Sequence, residues 1–184
     1  MKNLDNNTQA FLALVRASLW ETDVKLLPYG DIDYKEVYRL AQEQSVVGLV
    51  AAGIEHVLDI KVPKEDALSF VGDALHLEQT NTAMNRFIGV LVDKMSSAGI
   101  NAILVKGQGI AQCYERPLWR ACGDVDLLFN ENDYAKAKSF LLSFATNVEK
   151  ETKYGKHIGM IIDSWVVELH GRLSCSLSKR LIKS

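Results

Sequence analysis

The sequence has little cysteine, no marked excess of charge of either sign and no long hydrophobic run, and each shortage excludes something. Its three cysteines, Cys113, Cys122 and Cys175, form no C-x-x-C pair, and no His/Cys cluster has zinc spacing. A disulfide scaffold is thereby set aside, and reduced thiols in a cytosolic protein are expected. The 21 basic and 23 acidic residues leave a net charge of -2, so the whole molecule is no polycation built to grip nucleic acid. No apolar run approaches the ~20 residues needed to cross a bilayer. The start, MKNLDNNTQAFLALV, lacks a basic n-region and a small-residue cleavage site, so no signal peptide is expected and a cytoplasmic location is. There is no internal repeat and no low-complexity segment. The common phosphate-loop signatures are also missing: no G-x-x-x-x-G-K-[ST] occurs, and Gly107-x-Gly109 continues with Ala111 and Gln112 rather than as a dinucleotide loop.

What is present is ordinary globular composition, 48% apolar and 24% charged over 184 residues, enough for one domain or two small ones. The first half reads as helices. Thr8 or Asn7 is expected to cap a helix whose apolar face includes Phe11, Leu12, Leu14, Val15, Leu19 and Trp20, broken at Pro28-Tyr29-Gly30-Asp31. Asp33 is expected to cap the next helix, with Val37, Leu40 and Ala41 at helical spacing, and Ser45 to Leu58 is a third apolar segment. A fourth helix is expected with Pro63 in its first turn, running to Ala98. Its buried positions are read as Leu68, Val71, Leu75, Leu77, Met84, Phe87, Ile88, Leu91, Val92 and Met95, with Gly72 and Gly89 as points of interruption. His56 and His76 stand alone and read as surface or structural histidines.

The texture changes at Gly99. Ile100 to Val105 reads as a buried strand, Ile110 to Tyr114 as a short helix and Val125 to Phe129 as a second strand. Asn130 to Asp133 offers a cap for a helix over Tyr134 to Phe144. Three more strands are expected at Val148 to Tyr154, His157 to Ile162 and Trp165 to Leu169, the last two joined by a tight turn at Asp163-Ser164.

The residues that carry chemistry lie in this second half. In Gly123-Asp124-Val125-Asp126-Leu127-Leu128-Phe129, a strand places Asp124 and Asp126 on the same face. Two carboxylates so placed repel unless a cation neutralises them, and a hard divalent ion such as magnesium suits such all-oxygen ligands. The plainer reading is two solvated aspartates where a loop enters a strand. Glu168, embedded in Trp165 to Leu169, either makes a salt bridge, lies on an edge strand, or completes a three-carboxylate site beside the aspartates. His170 is read as pointing to the other face, in a structural role. Lys106-Gly107 follows a strand directly; a glycine turn lets backbone N–H groups approach phosphate and Lys106 adds positive charge, although, taken alone, the pair is better read as a simple strand-to-helix turn. Arg120 either contacts phosphate or braces an aspartate. Tyr114 and Trp119 either stack on a base or pack in the core.

Taken together, Leu104-Val105-Lys106-Gly107, Tyr114, Arg120, Gly123 to Phe129 and Val167-Glu168-Leu169-His170 resemble the DNA polymerase beta-like nucleotidyltransferase superfamily, and within it a branch of uncharacterised bacterial nucleotidyltransferases. The likeness spans roughly residues 95 to 175. It implies a minimal nucleotidyltransferase-like mixed β-sheet with flanking helices over residues 96–184; with the helical bundle read over residues 1–95, which has no counterpart in the superfamily's minimal core and is expected to pack beside it, the fold expected is α+β. It implies that Asp124, Asp126 and Glu168 hold Mg2+, with two ions expected, and that Lys106, Gly107 and Arg120 attend the phosphates of a nucleoside triphosphate. The implied reaction transfers a nucleoside monophosphate to a small-molecule or protein hydroxyl and releases pyrophosphate; a long nucleic acid is not the expected acceptor. The superfamily's usual Gly-Ser turn is Lys106-Gly107-Gln108 here, and few residues follow Glu168 for a helical substrate-binding segment. The alternatives are a degenerate nucleotide-binding or protein-interaction module on the same fold, and a helical interaction module with an unrelated small sheet.

Overall fold

The computed structural model describes residues 4–152 and 157–171. The expected position of Cys175 and the end of the expected strand Val148 to Tyr154 lie outside them. Among the described residues, the order is α1 (Asn6–Trp20), α2 (Tyr34–Glu43), α3 (Val47–Glu55), α4 (Lys64–Ser97), β1 (Ile103–Val105), α5 (Gly107–Ala111), β2 (Asp124–Leu128), α6 (Glu131–Leu142), β3 (Asn147–Val148), β4 (His157–Ile162) and β5 (Trp165–His170). This is a mixed α+β architecture. No described helix is long and apolar enough to cross a membrane.

The chain forms two compact units that are interleaved in sequence. Of the described residues, the first takes 4–83 and 110–122, the second 84–109, 123–152 and 157–171. The first is helical. Ala10, Phe11, Leu14, Leu26, Val37, Val50, Ala51, Phe70 and Ala74 meet in its core. Gly53 makes the close approach of α3 to α1 possible, since a Cβ there would stand 2.1 Å from the Leu14 carbonyl oxygen. Asp33 caps α2 as its sequence position suggests, accepting from the N–H groups of Lys35 and Glu36. The α1 cap is Asp5 rather than Thr8 or Asn7. Asp5 accepts from both the backbone N–H and the hydroxyl of Thr8, while Asn7 accepts from the Asp33 N–H.

Two readings of apolar faces need correction. In α1, small residues do much of the packing: Ala10, Ala13 and Ala17 are buried, whereas Leu12, Leu19 and Trp20 are exposed. In α4, the buried stripe runs through Phe70, Ala74, Asn81, Met84, Ile88, Leu91 and Met95, leaving Leu68, Val71 and Leu75 exposed. Gly72 and Gly89 do not interrupt this 34-residue helix. With the rest of each turn intact, a glycine costs only about 1 kcal/mol relative to alanine.

The second unit carries the sheet, ordered β1-β2-β5-β4-β3. β2 and β5 run parallel; the pairs β1/β2, β5/β4 and β4/β3 are antiparallel. The β4–β5 hairpin turns through Asp163 and Ser164, both at positive φ (48° and 73°), the backbone of a two-residue turn whose twist matches its strands. Strand alternation then sorts the sheet into two faces. Val125, Leu127, Ile158, Met160, Ile162, Val167 and Leu169 are buried on one, 3% exposed or less. Trp165 on that face stacks on Phe87 of α4 with ring centroids 6.2 Å apart. The other face carries the polar side chains.

Candidate functional site

Strand register brings the polar residues together. Asp126 of β2 pairs with Glu168 of the parallel neighbour β5, and Glu168 in turn pairs with Gly159 of β4. β5 is therefore a central strand, and the edge-strand explanation of Glu168 does not apply. One carboxylate oxygen from each of Asp124, Asp126 and Glu168 lies within 4.8 Å of the other two. A buried strand with a polar stripe on one face gathers three carboxylates at one point of the sheet, the outcome of period-two alternation applied to adjacent strands.

Lys106 reaches the same place from β1. Val105 pairs with Asp126, and the chain then turns sharply: Lys106 takes a left-handed conformation (φ 53°) unusual for a residue with a side chain. Its ammonium donates to Asp126 Oδ1 at 2.6 Å and lies 3.9 Å from Glu168 Oε2. Gly107 begins α5. Gly109 is required two residues later because a Cβ there would come within 2.8 Å of the Leu104 carbonyl oxygen.

The electrostatics follow from this crowding. Burial, then the charges of Asp126 and Glu168, push the Asp124 carboxyl above its ordinary range against the pull of Lys106. The hydrogen bond to Asp126, with the surrounding carboxylates in support, holds the Lys106 ammonium above its usual range. Asp126 is 1% exposed, and its Oδ1 is met by the Lys106 ammonium and by His170 Nε2.

Two histidines complete the cluster. His170 shares the face of Glu168, two residues before it, and its Nε2 lies 2.7 Å from Asp126 Oδ1 and 3.4 Å from Glu168 Oε2. The expectation that it points to the other face is wrong, since residues i and i+2 of a strand point the same way. His157 pairs across the hairpin with His170, and its Nε2 lies 3.1 Å from Glu168 Oε2. Sequence reasoning missed His157 as a site residue. The signal was present: a two-residue turn at 163–164 sets the register that places 157 opposite 170.

Arg120 belongs to the first unit, where its guanidinium donates to the Ala121 carbonyl at 3.2 Å and lies 5.8 Å from the centre of the Tyr114 ring. Its loop is held by Asn81, fully buried, whose amide donates to the carbonyls of Leu118 and Arg120 at 2.7 and 2.8 Å. Trp119 packs against the helical core and its indole N–H donates to Glu78. His56 sits beside Glu21 at 3.1 Å, a structural pairing.

A family model described as uncharacterised nucleotidyltransferase matches residues 30–182. The chain belongs to this family. No curated protein and no solved structure matches it. As a member of the nucleotidyltransferase family it is characterised by more than the sheet: the match is wider than the roughly 95–175 over which sequence motifs carried a resemblance, and it takes in α2, α3 and α4. Helices α2, α3 and α4 thus fall within what the family model describes, while α1 precedes it.

Proposed function

We propose that the chain is a magnesium-dependent nucleotidyltransferase that moves a nucleoside monophosphate from a nucleoside triphosphate to a hydroxyl of a small molecule or protein, releasing pyrophosphate. The observation that supports this reading most is the convergence of Asp124, Asp126 and Glu168 within 4.8 Å in a chain of this family. The donor set fits the ion: three carboxylates offer oxygen only, and a divalent cation relieves both the burial and the neighbouring charges of Asp126 and Glu168 that push the Asp124 carboxyl above its ordinary range. Asp124, Asp126 and Glu168 would hold it. Bound there, magnesium supplies positive charge to the triphosphate and lowers the pKa of the attacking hydroxyl.

The chain's own groups do the rest. The acceptor hydroxyl gives its proton to solvent as its oxygen bonds to the α-phosphorus, the bond from that phosphorus to the bridging oxygen breaks, and pyrophosphate departs with the electron pair. Lys106 offers an ammonium to charge that develops on the phosphates, and Gly107 keeps the turn bare of side chain where phosphate approaches. A second reading, a nucleotide-binding module without turnover, is favoured by one observation: Lys106 already supplies Asp126 Oδ1 with a cation at 2.6 Å.

Calorimetric titration of the four ribonucleoside triphosphates with and without Mg2+, and pyrophosphate release over an acceptor panel, separate these readings. The wild type is expected to bind a triphosphate only with Mg2+ and to release pyrophosphate, and Asp124→Asn/Asp126→Asn to do neither. Binding without pyrophosphate across the panel points to the second reading. Absence of any triphosphate or Mg2+ binding refutes both.

A further inference from the structure

The carboxylates are not the only metal-competent group on this face. His157, Glu168 and His170 each present one donor atom, and these three atoms also lie within 4.8 Å of one another. Their spacings match those of donor atoms around a single ion. His157 Nε2 and His170 Nε2 lie 3.1 and 3.4 Å from the same oxygen, Glu168 Oε2. Around an ion with bonds of about 2.1 Å, neighbouring donor atoms stand about 3.0–3.4 Å apart.

Hydrogen bonding alone leaves this arrangement partly unused. His170 Nε2 faces two anionic oxygens, Asp126 Oδ1 at 2.7 Å and Glu168 Oε2 at 3.4 Å, and one N–H can be directed at only one of them. The rings of His157 and His170 lie 4.8 Å apart at 39°, so both Nε2 atoms converge on one carboxylate from directly opposed positions of β4 and β5. Gly159, the residue opposite Glu168, carries no side chain, and the Glu149 carboxylate fills the space its Cβ would take, 2.8 Å from that position. More negative charge is thereby set beside the group.

We infer that His157, Glu168 and His170 form a second cation site, chemically distinct from the three-carboxylate group, that selects an imidazole-binding first-row ion of the zinc class over magnesium. Two imidazoles and one carboxylate suit Zn2+ or Co2+, whereas magnesium favours oxygen ligands and keeps its waters. The sites share Glu168 and are told apart by their other members: Asp124 belongs to one, His157 to the other. The inference stands apart from the proposed activity; a chain that transfers no nucleotide can still bind zinc here.

The test is Zn2+ titration by calorimetry of the metal-free full chain in a large excess of Mg2+, with Co2+ as a visible-absorption probe of imidazole coordination. One Zn2+ per chain is expected. His157→Gln and His170→Gln should each weaken binding by on the order of 100-fold or more, since even outer partners of metal ligands are worth 10–100-fold. Asp124→Asn should keep it within a few-fold. His157 is about one-third exposed, so its variant is expected to fold, and an unchanged circular dichroism spectrum shows that it has. Failure of the wild type to bind Zn2+ over Mg2+, or binding retained in folded His157→Gln, overturns the site. Loss in Asp124→Asn equal to that in the histidine variants would place the ion among the carboxylates and overturn it also.

Discussion

Replacing Lys106 by methionine should have two effects of opposite sign. The side chain keeps its length but loses the ammonium that sits 2.6 Å from Asp126 Oδ1. At an effective dielectric constant of 20, charges this close attract by about 6 kcal/mol. That figure is a ceiling, because the Lys106 side chain is 55% exposed and exchanges much of the attraction for hydration, whereas Asp126 is 1% exposed and cannot. Hydrogen bonds to charged groups contribute a net ~1.5–3 kcal/mol, so about 2 kcal/mol is expected here. For a chain of this size that lowers the melting temperature in chelator by about 4–8 °C. Binding of Mg2+ should move the other way. If the ion must displace the ammonium from Asp126 Oδ1, removing the competitor tightens binding by roughly tenfold or more, and saturating Mg2+ should restore much of the lost stability by mass action. Thermal melts with chelator and across a Mg2+ series read both effects. A variant as stable as wild type in chelator refutes the charge argument; one that binds Mg2+ more weakly than wild type refutes the competition between ammonium and metal.

Two further outcomes concern the helical unit. Asn81→Ala removes the donors of the Leu118 and Arg120 carbonyls from a fully buried position, and should cost about 2–3 kcal/mol, read as a shift in the urea midpoint at unchanged slope. Glu55 receives both guanidinium nitrogens of Arg116 at 2.7 and 2.6 Å, which holds its carboxyl below the ordinary value of 4.5. The pair's contribution is therefore complete above about pH 4.5 and lost as the pH falls through the depressed value. Since Glu55 is 52% exposed, the gap between wild type and Glu55→Gln should be at most ~1 kcal/mol at neutral pH and should close as the pH falls below the depressed value.

Local rules made much of the sheet legible. The alternation of Asp124 and Asp126 with Val125 and Leu127 forces acid and apolar side chains onto opposite faces, and Asp163-Ser164 marks the hairpin whose register aligns β4 with β5. The same two rules, applied together, place His157 beside His170; taken separately they hid it. The pairing of β2 with β5 was harder to read, because parallel partners distant in sequence are chosen by burial and not by local spacing. The helical faces were the least legible. Where apolar residues occur on more than one side of a helix, as Leu68, Val71 and Leu75 do in α4, periodicity alone cannot tell which stripe is covered. In α1 the small area of the alanines hid the packed side, and the stripe was drawn through Leu12, Leu19 and Trp20, which are exposed.

The interleaving of the two units constrains how the chain can be made and divided. The helical unit needs residues 110–122, so the segment from 1 to 83 cannot complete its packing on a ribosome until β1 and α5 have also emerged. The sheet unit, for its part, borrows Met84, Ile88, Leu91 and Met95 from the far end of α4. A cut at residue 95, the boundary expected from the sequence, would separate those side chains from the sheet whose unit they belong to. Neither half is a transferable module in linear sequence, and gene fusions or deletions that respect this protein must carry α4 whole.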